Sequence, residues 1–170
     1  MKYRAILIAT FAALFISASA HDSEKLIYDD SLNPVEQINA AIAKARKEGK
    51  FVVCQLGGNW CPWCLRFAKF ITSDPEINQV VDDNFVYIHV AYNPHSAEDD
   101  PVRRAATAEM LRITGNPVRF GFPVLVVLDA DGRVMHIQDS ALLEKGIGYN
   151  RDNVLRFFKN WTPSAVNSEQ

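Results

Sequence analysis

Cysteine is scarce in this chain. Three cysteines among 170 residues are too few for a small domain stapled by disulfides. A basic surplus is missing as well: 18 Lys and Arg stand against 20 Asp and Glu, for a formal charge of −2. No basic patch of the kind that binds nucleic acid is present. After the first 20 residues no apolar run approaches the roughly 20 residues needed to span a bilayer. Internal repeats and low-complexity blocks are also lacking, which sets aside repeat arrays and long disordered linkers.

The N-terminus holds the one long apolar stretch. Lys2 and Arg4 precede residues 5–16, where only Thr10 is polar, and Ser17-Ala18-Ser19-Ala20 follows with small residues at Ala18 and Ala20. This layout predicts a signal peptide over 1–20, cleaved before His21. The competing reading, a retained membrane anchor, asks for a longer apolar span. No cysteine lies at the cleavage site, so a lipoprotein anchor is not indicated. Loss of Lys2 and Arg4 takes the formal charge to −4 and leaves 150 residues, enough for one domain with a full core.

Punctuation along the chain separates the elements. Residues 21–33 read as a polar lead-in. Asn33-Pro34-Val35-Glu36 is a helix start, and Val35, Ile38, Ile42 and Ala45 recur at helical spacing up to Gly49. Residues 51–56 do not alternate cleanly and read as a strand buried on both faces. Trp60-Cys61-Pro62-Trp63-Cys64 comes next, and residues 65–71 can be helical. Asp74-Pro75 and Asp100-Pro101 start further helices, the second running to about Ile113. Residues 85–91, 124–128 and 133–138 read as strands, with a turn at Asp129-Ala130-Asp131-Gly132. A last helix carries Val154, Leu155, Phe158 and Trp161 on one side. Residues 162–170 read as a disordered tail. Strands alternating with helices, closed by a hairpin, predict an α/β fold with a mixed sheet.

The two cysteines of the motif carry the chemistry. C-x-x-C at a strand-to-helix turn suits reversible dithiol–disulfide exchange, because the sulfurs reach each other within one helical turn. A helix N-terminus favours Cys61 as thiolate, the form that attacks disulfides. Two other readings stand beside this one. A purely structural disulfide would close too short a loop to constrain the unfolded chain much. Soft thiolates also suit Cu(I) or Zn, although a closed zinc site needs two more ligands and His21, His89, His95 and His136 show no ligand spacing to the motif. Cys54, inside a strand, reads as a buried inert thiol. His89 alternates with Ile88 and Val90 and reads as a solvent-facing or satisfied histidine. Arg66 and Lys69 either lower the Cys61 pKa or form a solvated helix face. Gly146 and Gly148 either line the same groove or belong to a plain loop.

With this motif after a buried strand, Gly121-Phe122-Pro123 before another, and this order of elements, the chain resembles the thioredoxin superfamily over about 34–161. It is most similar to secreted thiol–disulfide oxidoreductases of the bacterial envelope. The resemblance implies a thioredoxin fold, a central mixed sheet flanked by helices, with an insertion between Tyr92 and the cis-proline loop. It implies Cys61 as nucleophile, Cys64 as resolving cysteine, and a cis bond at Phe122-Pro123. Trp60, Trp63, Phe122 and Pro123 are then the expected substrate-binding residues, contacting an extended segment of a client protein. No cofactor beyond the cysteine pair and no metal are expected. The implied partners are proteins with thiols or disulfides and a membrane redox partner that recycles the pair, and the implied location is the periplasm. The sequence departs from the family at Pro62-Trp63, where classical thioredoxins have Gly-Pro, and at Gln55, where they have a buried aspartate. Pro62-Trp63 leaves the direction of electron flow open. A thioredoxin-fold binding module, such as a chaperone or assembly factor, and thiol-based copper delivery are the alternatives.

Overall fold

The computed structural model of the protein describes residues 26–94 and 100–168. The expected signal peptide, its cleavage site and His95 lie outside them.

Local chemistry starts each helix. Asn33 accepts hydrogen bonds from the backbone N–H groups of Val35 and Glu36, and opens α1 (Pro34–Glu48), which stops at Gly49 with φ 68°. Cys61 caps α2 (Pro62–Ser73), Asp74 caps α3 (Pro75–Asn84) and Asp100 caps α4 (Pro101–Ile113). Each helix has proline in its first turn, where a missing N–H costs nothing. Asn150 caps α5 (Arg151–Asn160).

The central sheet has four strands. Strand β1 (Phe51–Gly57) is buried along its whole length. It pairs in parallel with β2 (Phe85–Ala91), Phe51 opposite Phe85, and antiparallel with β3 (Val124–Leu128), Cys54 opposite Val126. Strand β4 (Val134–Asp139) extends the sheet beyond β3, giving the order β2-β1-β3-β4. Side chains alternate across β1. Val53 joins Phe67, Ile77, Leu125 and Phe158 in a core under α2, α3 and α5. Val52, Cys54 and Leu56 join Ile38, Met110 and Val126 in a second core under α1 and α4. This is the mixed sheet with helices on both faces that the sequence predicts. The expected insertion contains α4, which packs beside α1, and a 3-10 turn at Pro117–Phe120.

Three segments differ from expectation. Helix α2 begins at Pro62, three residues earlier than the apolar pattern suggests, because the Cys61 sulfur satisfies a first-turn N–H. The stretch after β4 folds into a 3-10 turn (Ser140–Leu143) and a small hairpin of β5 (Glu144–Lys145) and β6 (Gly148–Tyr149). The expectation of a disordered tail from residue 162 is corrected by α6 (Pro163–Asn167). Thr162 caps that helix by accepting from the Ala165 N–H at 3.2 Å, and Val166 packs against the α2/α5 core. Residues 169 and 170 lie outside the described residues.

Candidate active site

Strand β1 delivers the chain to the site and two glycines let it turn. A Cβ on Gly57 would collide with the Cys64 sulfur, and one on Gly58 would collide with the Trp60 indole. The turn closes when the Cys61 N–H donates to the Gly58 carbonyl at 3.0 Å. Cys61 then sits in the cap position of α2, and its Sγ accepts the Cys64 N–H at 3.2 Å. The two sulfurs are joined as a disulfide, with Cα atoms 5.3 Å apart. Cys61 keeps 4% of its surface exposed and Cys64 none. Once the disulfide is reduced, the same N–H group and the helix dipole are placed to stabilise a thiolate on Cys61 rather than on Cys64.

The outer flank of the disulfide is aromatic. Trp60 is 42% exposed, and its indole N–H donates to the Tyr92 carbonyl at 3.2 Å. Phe122 meets Trp60 edge-on at 5.6 Å and lies 5.5 Å from Tyr92. The Phe122–Pro123 peptide bond is cis, as the resemblance implies. Trp63 is half-buried, edge-on to Tyr149 at 5.6 Å, and the Arg66 guanidinium lies 4.6 Å over its ring. Arg66 thus covers Trp63. Tyr149 donates to the Trp63 carbonyl at 3.1 Å, which fixes the β5–β6 hairpin to α2. A Cβ added at Gly146 or Gly148 would meet open space.

The inner flank is polar and sealed. Gln55, fully buried, donates through Nε2 to the Cys64 carbonyl at 3.0 Å and to the Tyr28 hydroxyl. Its Oε1 accepts from the Tyr87 hydroxyl at 2.6 Å. Burial pushes the Tyr28 and Tyr87 hydroxyls above the ordinary phenol range. Tyr28 is held by Asn59, whose side chain accepts from the Ile27 and Tyr28 N–H groups and donates to the Tyr28 carbonyl at 2.7 Å. Tyr28, Cys61 and Cys64 form one buried cluster. His89 is neither solvent-facing nor satisfied: its buried Nε2 has no partner among the described residues, and burial pushes its pKa down to about 4. Cys54 lies in the opposite core, fully buried, its thiol pushed up to about 12. Among the described residues no group of three His, Cys, Asp or Glu side chains gathers around the sulfurs as metal ligands would.

The structure therefore brings together Trp60, Cys61, Trp63, Cys64, Phe122 and Pro123. Tyr28, Asn59, Tyr87 and Tyr149 are additions that no motif in the sequence marks. The apolar triplet Leu26-Ile27-Tyr28 is the available signal that the lead-in packs on the domain.

Residues 33–130 match the family model described as thioredoxin-like. The chain belongs to the thioredoxin-like family. Among curated relatives it is 28% identical over 103 residues to the thiol:disulfide interchange protein DsbD of Salmonella typhi, covering 61% of this chain and 16% of that protein. It is 27% identical over 122 residues to the protein of the same name from Citrobacter koseri, covering 72% and 18%. The chain thus spans less than one fifth of the length of these relatives. Among solved structures, the disulphide isomerase from Xylella fastidiosa Temecula1 superposes with a TM-score of 0.64 at 20% identity, covering 81% of this chain and 98% of that one. A thioredoxin from Thermus thermophilus superposes with a TM-score of 0.52 at 20% identity, covering 78% and 88%. Both share the fold. The family match includes Cys61, Cys64 and Pro123 and begins after Tyr28.

Proposed function

We propose that this protein is an extracytoplasmic thiol–disulfide oxidoreductase that exchanges disulfides with protein clients. One observation carries the reading: the Cys61 sulfur lies at the start of α2, directly after the exposed Trp60 in the chain and bonded to a fully buried Cys64. In the reduced protein the Cys61 thiolate attacks a client disulfide. The client S–S bond breaks, one client thiol leaves, and a mixed disulfide forms on Cys61. Cys64 then attacks the Cys61 sulfur, closes the internal disulfide and releases the second client thiol. Two electrons pass to the client, and the reverse sequence oxidises it.

Trp60, Trp63, Phe122 and Pro123 are the client-binding residues in this reading. The cysteine pair is the redox centre and no organic cofactor takes part. Relatives named as interchange proteins and a fold neighbour named as a disulphide isomerase support the class of reaction. The N-terminal sequence pattern supports export to the periplasm, where a membrane redox partner recycles the pair. No helix among the described residues is long and apolar enough to cross a membrane.

Equilibration of the mature protein with glutathione buffers tests the proposal. A reversible couple near about −270 mV assigns a reductant or isomerase, and one near about −120 mV assigns a disulfide donor. Cys61→Ser is expected to abolish exchange with a disulfide-bonded client. A Cys61→Ser protein that retains its full biological role would establish the binding-module reading instead.

A further inference from the structure

We infer that Tyr28 serves the resolving step: in the dithiol state its hydroxyl donates a hydrogen bond to the sulfur of Cys64. The inference rests on the exchange reading above and adds a residue that lies before the family match.

Four observations converge on it. Tyr28 has no exposed surface, whereas Leu26 is 73% and Ile27 37% exposed, so the ring is held inward in a segment that otherwise faces solvent. Asn59, two residues before Cys61, fixes the Ile27–Tyr28 backbone by three hydrogen bonds, two of them to Tyr28. The Tyr28 oxygen accepts from Gln55, and its own proton has no acceptor among the described residues. Finally, the Cys64 sulfur and the Tyr28 hydroxyl lie on the same side of the Gly57 Cα. A Cβ at Gly57 would strike the sulfur and come within 3.1 Å of the hydroxyl oxygen, so both atoms border one gap that only glycine leaves open.

The chemistry needs such a donor. Reduction leaves Cys64 as a fully buried sulfur, where a thiolate is disfavoured. Gln55 cannot titrate, and both of its Nε2 hydrogens are committed, one to the Cys64 carbonyl and one to Tyr28. The titratable groups facing Tyr28 are the Tyr87 hydroxyl, which donates to Gln55, the His89 ring at 5.3 Å, and Cys61 and Cys64 themselves. Tyr149 adds a weaker electrostatic influence. A phenol held protonated by burial cannot act as a base, but it can stabilise negative charge developing on sulfur. In the step it assists, Cys64–SH attacks the mixed disulfide on Cys61. The Cys61–Cys64 bond forms, the Cys61–client bond breaks, and the departing client thiolate takes up the proton.

The reduced protein treated with dithiobis(nitrobenzoate) releases one thionitrobenzoate as the mixed disulfide forms and a second as Cys64 closes the ring. In Tyr28→Phe the second release is expected to slow about tenfold while the first is unchanged, and the Cys64 pKa, read from its Cβ carbon resonance in a Cys61→Ser background, to rise by about one unit. A Tyr28→Phe protein that keeps the parent pKa and second-release rate within about twofold overturns the inference. Should Tyr28→Phe fail to fold, fluorotyrosine at position 28 preserves the shape and strengthens the donor. The Cys64 pKa must then fall, and an unchanged value overturns the inference equally. A parent protein that never releases the second thionitrobenzoate overturns the exchange reading itself.

Discussion

On the outer flank of the disulfide, Trp60 is 42% exposed and touches Phe122 edge-on, whereas on the inner flank Gln55 and Tyr28 are sealed from solvent and bonded to each other. The outer flank is mainly apolar contact, so one side chain can change without stranding another. Every polar atom of the Gln55 amide is engaged on the inner flank, so removing one group strands its partners in a medium where an unmet hydrogen bond is costly. In the proposed exchange, access to Cys61 and control of Cys64 thereby fall to opposite sides of a single bond.

Substitutions on the inner flank should have the larger effects. Gln55→Leu strands two buried tyrosine hydroxyls and takes a second donor from the Cys64 carbonyl, and should destabilise the fold by about 4 kcal/mol, read from the denaturant midpoint. A loss below about 1 kcal/mol would mean the network relaxes, and the contrast between flanks would fail. Gly57→Ala drives a methyl group into the Cys64 sulfur and should cost about 2–3 kcal/mol, with a smaller loss in the Cys61→Ser/Cys64→Ala double variant, where that sulfur is absent.

His89 makes the inner flank sensitive to pH. Its pKa is about 4 in the folded protein, against an ordinary value of 6.5. Between those values the unfolded chain holds a proton that the folded chain lacks. The His89 contribution is therefore complete above pH 6.5, and is lost as the pH falls toward 4, with a limiting slope of about 1.4 kcal/mol per pH unit. His89→Phe should flatten this part of the stability profile, and an unaltered slope would remove His89 from the account. Trp60→Ala, on the outer flank, should change stability by less than about 0.5 kcal/mol while raising KM for a protein client severalfold. An equal loss toward a small disulfide would show that Trp60 acts on the chemistry rather than on client binding.

Most of the frame is legible in the sequence because its signals are local. Asn33-Pro34, Asp74-Pro75 and Asp100-Pro101 each mark a helix start within a residue, and the strands expected at 85–91 and 124–128 agree with the observed β2 and β3. Thr162-Pro163 carries the same signal but reads as tail, because the five-residue helix it starts has no apolar period to support it. The β5–β6 hairpin has two residues per strand, too few for alternation to register. The inner flank is hidden for another reason. Gln55 stands out as a replaced aspartate, yet its partners Tyr28 and Tyr87 lie 27 and 32 residues away, and no spacing rule links them.

The alternation of β1 has a consequence for fidelity. Cys54 and Gln55 are adjacent, but Gln55 reaches the active-site helix while Cys54 points into the core under α1 and α4. A mixed disulfide on Cys61 is open to capture by any thiol that can reach it, and a wrong capture would trap the protein in an unproductive linkage. The sheet stands between that intermediate and Cys54 as an insulator. A slip of β1 by one position would turn Cys54 toward the helix that carries Cys64, so in the proposed exchange the register of this strand guards the accuracy of electron transfer as much as it does the core.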